Sequence, residues 1–234
     1  MQPRIIVVLP AYYAEKTIKK TVENIPKIYE RLILCDDASH DNTYEVSRAL
    51  GIETVKHETN LGYGGNQKTL YNLVRKYSPD VVAMIHPDNQ YDSSMLAEAA
   101  AMIAAGQADL ILGARMSTAK ALGMPWWKIL SNILLSGLQR AVYGSDLSEF
   151  HSGLRFFRAN ILDRMSYGEF SDDFVFDSQF IAWCFGHNLK VAELPAKCFY
   201  NEEVSSIDLK RSLKYGLATL QVLWEYRFSK RYKF

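Results

Sequence analysis

Short apolar runs recur along the first half of the chain, each followed by a polar, turn-forming stretch and then by apolar residues at helical spacing. The runs are Arg4 to Leu9, closed by Pro10; Leu32 to Cys35; a weaker one over Ile52 to Val55; Val81 to Ile85; and Leu110 to Leu112. Brief, β-branched and nearly free of charge, they read as buried strands of a parallel sheet. Helical patterns follow over Thr17 to Ile25, after Thr43, and from Asn66 to about Tyr77; Asn42 stands three before Glu45, the spacing of a capping pair. Strands alternating with helices predict an α/β fold with a doubly wound, mostly parallel sheet flanked by helices. Further helices are expected over residues 124–143, from Phe174 to Cys184, and at the carboxyl end, where Leu209, Leu213, Leu217, Leu220, Trp224 and Phe228 share one face.

The fourth run delivers His86-Pro87-Asp88-Asn89-Gln90 to the carboxyl edge of the sheet, where open α/β sheets bind ligands. A carboxylate and a carboxamide two residues apart can offer oxygen ligands to Mg2+ or Mn2+, with phosphate completing the shell. The plainer alternative makes Asp88 a helix cap for the segment opening at Asp92. The second run enters Asp36-Asp37-Ala38-Ser39, a cluster that would also serve as caps and turns. Gly62, Gly64 and Gly65 either permit unusual backbone angles or let the chain approach phosphate, and Lys68, one turn on, reads as solvated. Arg115, just beyond the fifth run, could grip a phosphate in bidentate fashion or form a surface salt bridge.

A strand into PxY, a strand into DDxSxDxT, an NxGxGxN loop and a strand into xPDxQ together resemble the nucleotide-sugar half of family-two, GT-A fold glycosyltransferases. Ser148-Glu149-Phe150-His151-Ser152-Gly153-Leu154-Arg155 resembles the serine-glycine segment of dolichol-phosphate and polyprenyl-phosphate sugar transferases, and Ser171 to Gln179 their acidic acceptor-side segment. The resemblance covers residues 4–228. It implies an inverting, metal-dependent transfer of a hexose from a UDP- or GDP-sugar, with a polyprenyl phosphate as acceptor. It also implies that Pro10, Ala11, Tyr12, Glu15 and Asp37 hold the nucleotide, and that Arg115 serves the acceptor. The family's commoner metal motif is DxDxQ, and here His86 stands in the first aspartate's place. Asp88 is then the principal metal ligand, Gln90 the second, and His86 either a third or a buried, hydrogen-bonded ring; imidazole tips the choice towards Mn2+ over Mg2+. Asp177 would be a general base towards a sugar hydroxyl, a positioning group towards an ionised lipid phosphate, or simply an exposed polar helix position.

On this reading residues 1–113 form the nucleotide-sugar half, 114–200 the acceptor half of the same domain, and 201–234 a carboxyl-terminal amphipathic helix. The tryptophans of Met124 to Tyr143, and Lys210, Arg211, Lys214, Arg227, Lys230, Arg231 and Lys233 around the last helix, suit peripheral contact with an anionic bilayer. The same apolar faces could instead pack on the chain's own sheet or on a second copy in a homodimer. At 234 residues and 48% hydrophobic the chain can fill one large core, and a net charge of +1 argues against a nucleic-acid partner held by bulk charge. Three cysteines without metal spacing read as reduced and buried, and a first strand at the amino terminus leaves no signal peptide, so a cytoplasmic protein is expected. The QxxRW signature of processive synthases is absent, which counts against polysaccharide hydroxyl acceptors. A nucleotidyltransferase would carry a glycine-rich basic loop where Pro10 to Ala14 stand. A non-catalytic sugar-nucleotide-binding protein is the third alternative.

Overall fold

The computed structural model describes residues 2–116, 123–199, 209–229 and 231–233, with the backbone alone at 209 and 210. Lys230 and the side chains of Leu209 and Lys210, counted above in the last helix, therefore lie outside the described residues, as do the junctions at 117–122 and 200–208.

Strands β1 (Ile5–Ala11), β2 (Arg31–Asp36), β3 (Glu53–Lys56), β4 (Val81–Met84) and β5 (Leu110–Ala114) coincide, within a residue or two, with the apolar runs. Between them lie helices α1 (Ile18–Asn24), α2 (Thr43–Ala49), α3 (Gly62–Arg75) and α4 (Leu96–Ala104). The second half adds α5 (Trp126–Tyr143), β6 (Arg155–Arg158), α6 (Ile161–Arg164), α7 (Phe176–Gly186), β7 (Val191–Pro195) and α8 (Leu209–Phe228). The seven strands form one sheet in the order β3-β2-β1-β4-β6-β5-β7. All pair in parallel except β6, which runs antiparallel between β4 and β5. That insertion is what makes the sheet mixed, and the apolar-run pattern did not anticipate it.

Residues of β1, β2, β4 and β5 are buried on both faces, as a sheet covered by helices requires. One core layer joins Ile6, Val8, Leu70, Tyr71, Phe157 and Phe180; the other joins Val7, Leu9, Leu34, Leu96 and Phe156. Strand order reverses between β1 and β4, because β2 and β3 add on one side and the later strands on the other. A crevice is expected outside the carboxyl ends of those two strands. The turn after β1 and the segment after β4 both end there. Cys35, Cys184 and Cys198 are buried thiols in no disulfide among the described residues, as the sequence suggested.

Candidate active site

The two turns that open the donor side are stitched together by their own side chains. Ser39 Oγ accepts the Tyr13 N–H at 2.8 Å, and Thr43 Oγ1 accepts the Ala14 N–H at 2.8 Å. Asp36 Oδ1 accepts the Ser39 N–H, and Asp41 Oδ1 accepts from both the backbone and the hydroxyl of Thr43. The DDxSxDxT residues thus fix the backbone of the PxY turn. The expected Asn42–Glu45 capping pair does not form: Asn42 gives its N–H and its amide to Glu15 instead, at 3.1 and 2.9 Å. Those two bonds hold the Glu15 carboxyl below its usual range. Pro10 and Ala11 end β1 in the buried sheet, while Tyr12 stands out with half its surface exposed (52%).

Asp37 is buried and accepts three hydrogen bonds. His57 Nδ1 lies 2.7 Å from Oδ1, the Leu61 N–H reaches Oδ1 at 2.9 Å, and the Gly62 N–H reaches Oδ2 at 2.9 Å. The glycine-rich segment is the start of α3, and its tightest neighbour is the chain itself. The Gly64 N–H donates to the Asp172 carbonyl at 2.7 Å, and a Cβ at Gly64 would collide with the Ser171 carbonyl. Glycine here therefore lets α3 approach the acceptor-side segment, a use the sequence reading did not weigh. Lys68, read as solvated, is instead half-buried and bound to Asp172 Oδ1 at 2.7 Å and the Phe170 carbonyl at 2.5 Å. Its stem lies along the packed segment, so the ammonium has partners closer than water.

Beyond β4, His86 lies against Tyr63: the rings are stacked, 4° from parallel at 5.4 Å, and Nε2 is 3.1 Å from the Tyr63 hydroxyl. Gly153 makes room for the imidazole, since a Cβ there would strike its ring. Burial pushes the His86 pKa down, so the ring is neutral at physiological pH. Asp88 Oδ1 accepts the Gln90 N–H at 3.0 Å, which closes a turn around Asn89 at positive φ; Oδ2 has no partner among the described residues. The buried Gln90 side chain faces the Cys198 thiol, with Sγ 3.8 Å from Oε1. Among the described residues no group of three or more His, Cys, Asp and Glu could by itself hold a metal. The donor set fits a hard cation that draws most of its oxygens from a diphosphate, with Asp88 Oδ2 as the protein's free ligand.

Asp177 sits at the base of this arrangement. Tyr63 donates to Oδ2 at 2.8 Å, Gln67 Nε2 to Oδ1 at 2.9 Å, and the fully buried Arg155 pairs with Oδ2. Far from an exposed helix position, Asp177 joins α3, β6 and α7. Its neighbours Asp172 and Asp173 are paired with Lys68 and Lys214. Arg115 is equally occupied: Nε binds the buried Glu149 at 2.6 Å, Nη1 the Tyr91 hydroxyl at 3.3 Å and Nη2 the His151 carbonyl at 2.8 Å. The salt bridge at Arg115 exists, but inside the site rather than on the surface. Sequence reasoning missed Tyr63, Gln67, His57 and the Arg155 pairing. Only the four-residue spacing of Tyr63 and Gln67, which puts both on one helix face, could have signalled the first two.

A mostly parallel sheet with its strand order reversing between β1 and β4, and Asp88 and Arg115 standing just beyond the ends of β4 and β5, is a GT-A-like architecture. The family model described as Glycosyl transferase family 2 matches residues 6–166, and the chain belongs to that family. It is 27% identical to the UDP-N-acetylglucosamine–dolichyl-phosphate N-acetylglucosaminyltransferase of Methanococcus voltae, over 85% of this chain and 86% of that protein. A low-salt glycan biosynthesis hexosyltransferase of Haloferax volcanii is 26% identical over 82% of this chain and 47% of that one. In fold, the glucosyl-3-phosphoglycerate synthase of Mycobacterium tuberculosis, solved with Mn2+, UDP and glucosyl-3-phosphoglycerate, superposes with a TM-score of 0.71. That match is 19% identical and covers 96% of this chain and 80% of the other. The protein is thus a glycosyltransferase.

Proposed function

We propose that this glycosyltransferase moves a hexosyl group, with inversion, from a nucleotide diphosphate sugar to a polyprenyl phosphate at the cytoplasmic face of the membrane. The observation that carries the choice of acceptor is the engagement of the three carboxylates of the 171–179 segment: Asp172 with Lys68, Asp173 with Lys214, and Asp177 with Arg155, Tyr63 and Gln67. A sugar hydroxyl needs a base as it attacks, whereas a phosphate monoester is already ionised at neutral pH. Two features add support. The Methanococcus voltae relative is named for a dolichyl-phosphate acceptor. Large apolar side chains also stand exposed on α5 (Trp126, Leu130, Leu134) and α8 (Leu213, Leu217, Trp224), suited to a lipid tail or bilayer surface. Among the described residues no helix is long and apolar enough to cross a membrane, so contact would be peripheral.

In this reading the nucleotide lies over Pro10, Ala11 and Tyr12, with Asp37 facing the base and Glu15 bracing the turn. Asp88 would hold Mn2+ or Mg2+, with Gln90 and His86 behind it shaping the turn. The cation, when bound, offsets the charge that grows on the departing diphosphate. Arg115, just beyond β5 at the same sheet edge, would draw the acceptor phosphate by its charge. A phosphate oxygen bonds to the anomeric carbon as the carbon–oxygen bond to the diphosphate breaks, and the electron pair leaves with the diphosphate. Asp177 and Arg155 keep Tyr63 and His86 in place around that carbon.

Incubation with Mn2+, undecaprenyl phosphate and radiolabelled UDP-glucose, UDP-N-acetylglucosamine or GDP-mannose should move label into the organic phase. Label found only in water-soluble product would overturn the acceptor, and nucleotide binding without turnover of any donor would overturn catalysis. Asp88→Ala should lower transfer by about a hundredfold, ~2.7 kcal/mol of barrier. Full activity in EDTA would remove the cation.

A further inference from the structure

Asp37 is the carboxylate that the donor reading turns towards the base, and most of its hydrogen-bonding capacity is already spent inside the protein. An ionised carboxylate offers about four acceptor positions. Three are used: Oδ1 by His57 Nδ1 and the Leu61 N–H, Oδ2 by the Gly62 N–H. His57 is itself fixed. It follows the end of β3, its backbone N–H donates to the Asp36 carbonyl at 2.9 Å, and its Nε2 lies 2.8 Å from the Thr69 hydroxyl on α3. Both side chains are well covered, 12% exposed for His57 and 4% for Asp37. Neither can swing aside cheaply to free a second oxygen.

We propose that His57 is a specificity-determining positioning residue: by occupying Asp37 Oδ1 it leaves one acceptor position, on Oδ2, and so selects uracil over guanine in the donor. The inference rests on the reading that a nucleotide diphosphate sugar binds with its base at Asp37. Uracil presents a single N–H, at N3, between two carbonyls, and one acceptor position satisfies it. Guanine presents N1–H and the exocyclic amine side by side, a pair of donors that asks for both oxygens of a carboxylate. In this site the second oxygen is taken by His57 and Leu61, so guanine would leave a buried donor unpaired, the costly outcome for a polar group. Tyr12, exposed beside the turn, gives either base a ring to pack on and does not discriminate.

The test is the ratio of dissociation constants for UDP and GDP, measured by calorimetry with Mn2+ present. The wild-type protein should bind UDP at least about tenfold more tightly than GDP, the worth of one lost hydrogen bond. His57→Leu should shrink that preference towards unity by weakening UDP and strengthening GDP, whereas a purely structural loss would weaken both alike. His57→Gln, whose amide can still donate to Asp37, should keep the preference. Should leucine unfold the edge, Thr69→Val, which frees the imidazole from α3, should move the ratio the same way by a smaller factor. Equal affinity for UDP and GDP in the wild type, or an unchanged ratio in His57→Leu and Thr69→Val, overturns the proposal. If the wild-type protein binds neither nucleotide, the donor reading itself fails and this inference goes with it.

Discussion

Arg155 is a guanidinium with no exposed surface, paired with Asp177, while its Nε and Nη1 find no hydrogen-bond partner among the described residues. Such a pair is a poor way to gain stability, because the desolvation of both charges offsets most of their attraction. What it secures is position: Asp177 receives the Tyr63 hydroxyl, and Tyr63 stacks on His86 beside the proposed cation ligand. Removing one partner leaves a covered charge uncompensated. Arg155→Met should therefore lower unfolding stability by about 3 kcal/mol, measured by urea denaturation. Arg155→Met combined with Asp177→Leu should recover part of that loss. A single variant within about 1 kcal/mol of wild type would show that the pair is not held in the interior.

At the scale of elements, α3 connects the two sides of the site, because its first turn touches Asp37 on one side and Ser171 and Asp172 on the other. Gly64→Ala inserts a methyl where the Ser171 carbonyl and the Phe176 Cβ already lie. Backbone cannot yield as a flexible side chain does, so overpacking of about 2 kcal/mol is expected. A lower urea midpoint and reduced transfer with unchanged UDP affinity would check it; unchanged stability would mean that the 171–172 segment moves freely. The strands that frame the crevice were legible because burial on both faces demands uninterrupted apolar runs, as in Val81 to Met84. β6 escaped because Arg155 and Arg158 bracket its two phenylalanines, and a charged strand reads as loop unless its partner Asp177, 22 residues on, is known. β7 escaped because it is only partly buried. At the site, Asp88 and Arg115 stood out in the sequence by residue type and strand-end position, and Asp37 through the family resemblance. Their partners Glu149 and His57 were not, since neither lies within hydrogen-bonding reach along the chain and only the fold brings them close.

Across the whole molecule, the loop between α5 and β6 is tied to three other parts through His151: its carbonyl accepts from Arg115, and its Nδ1 lies 2.8 Å from the Tyr215 hydroxyl on α8, which in turn lies 3.3 Å from Ser178 of α7. Burial, with a smaller push from Arg115, takes the His151 pKa down from 6.5 to about 3. His86 is shifted in the same direction, also by burial. A unit or more above pH 6.5 both rings are essentially neutral whether the chain is folded or not, and they add little pH dependence. As pH falls below that, the unfolded chain takes up protons that the folded one refuses, so stability declines towards the folded pKa. One such group in the middle of its window costs about 1.4 kcal/mol per pH unit. Carboxyls held low in the fold, such as Asp173 beside Lys214, begin to contribute only at lower pH, which leaves pH 6.5 to 5 as the interval that reports on the histidines. Urea unfolding at pH 7.5, 6.5, 5.5 and 5.0 should give a plateau and then a fall of more than about 1 kcal/mol per unit. His151→Gln, which keeps a polar partner for Tyr215 but cannot titrate, should flatten the slope by His151's share and leave those of His86 and His187, whose burial also lowers its pKa. A wild-type curve that stays level down to pH 5 would mean that water reaches His151, and that α8 does not seal the loop.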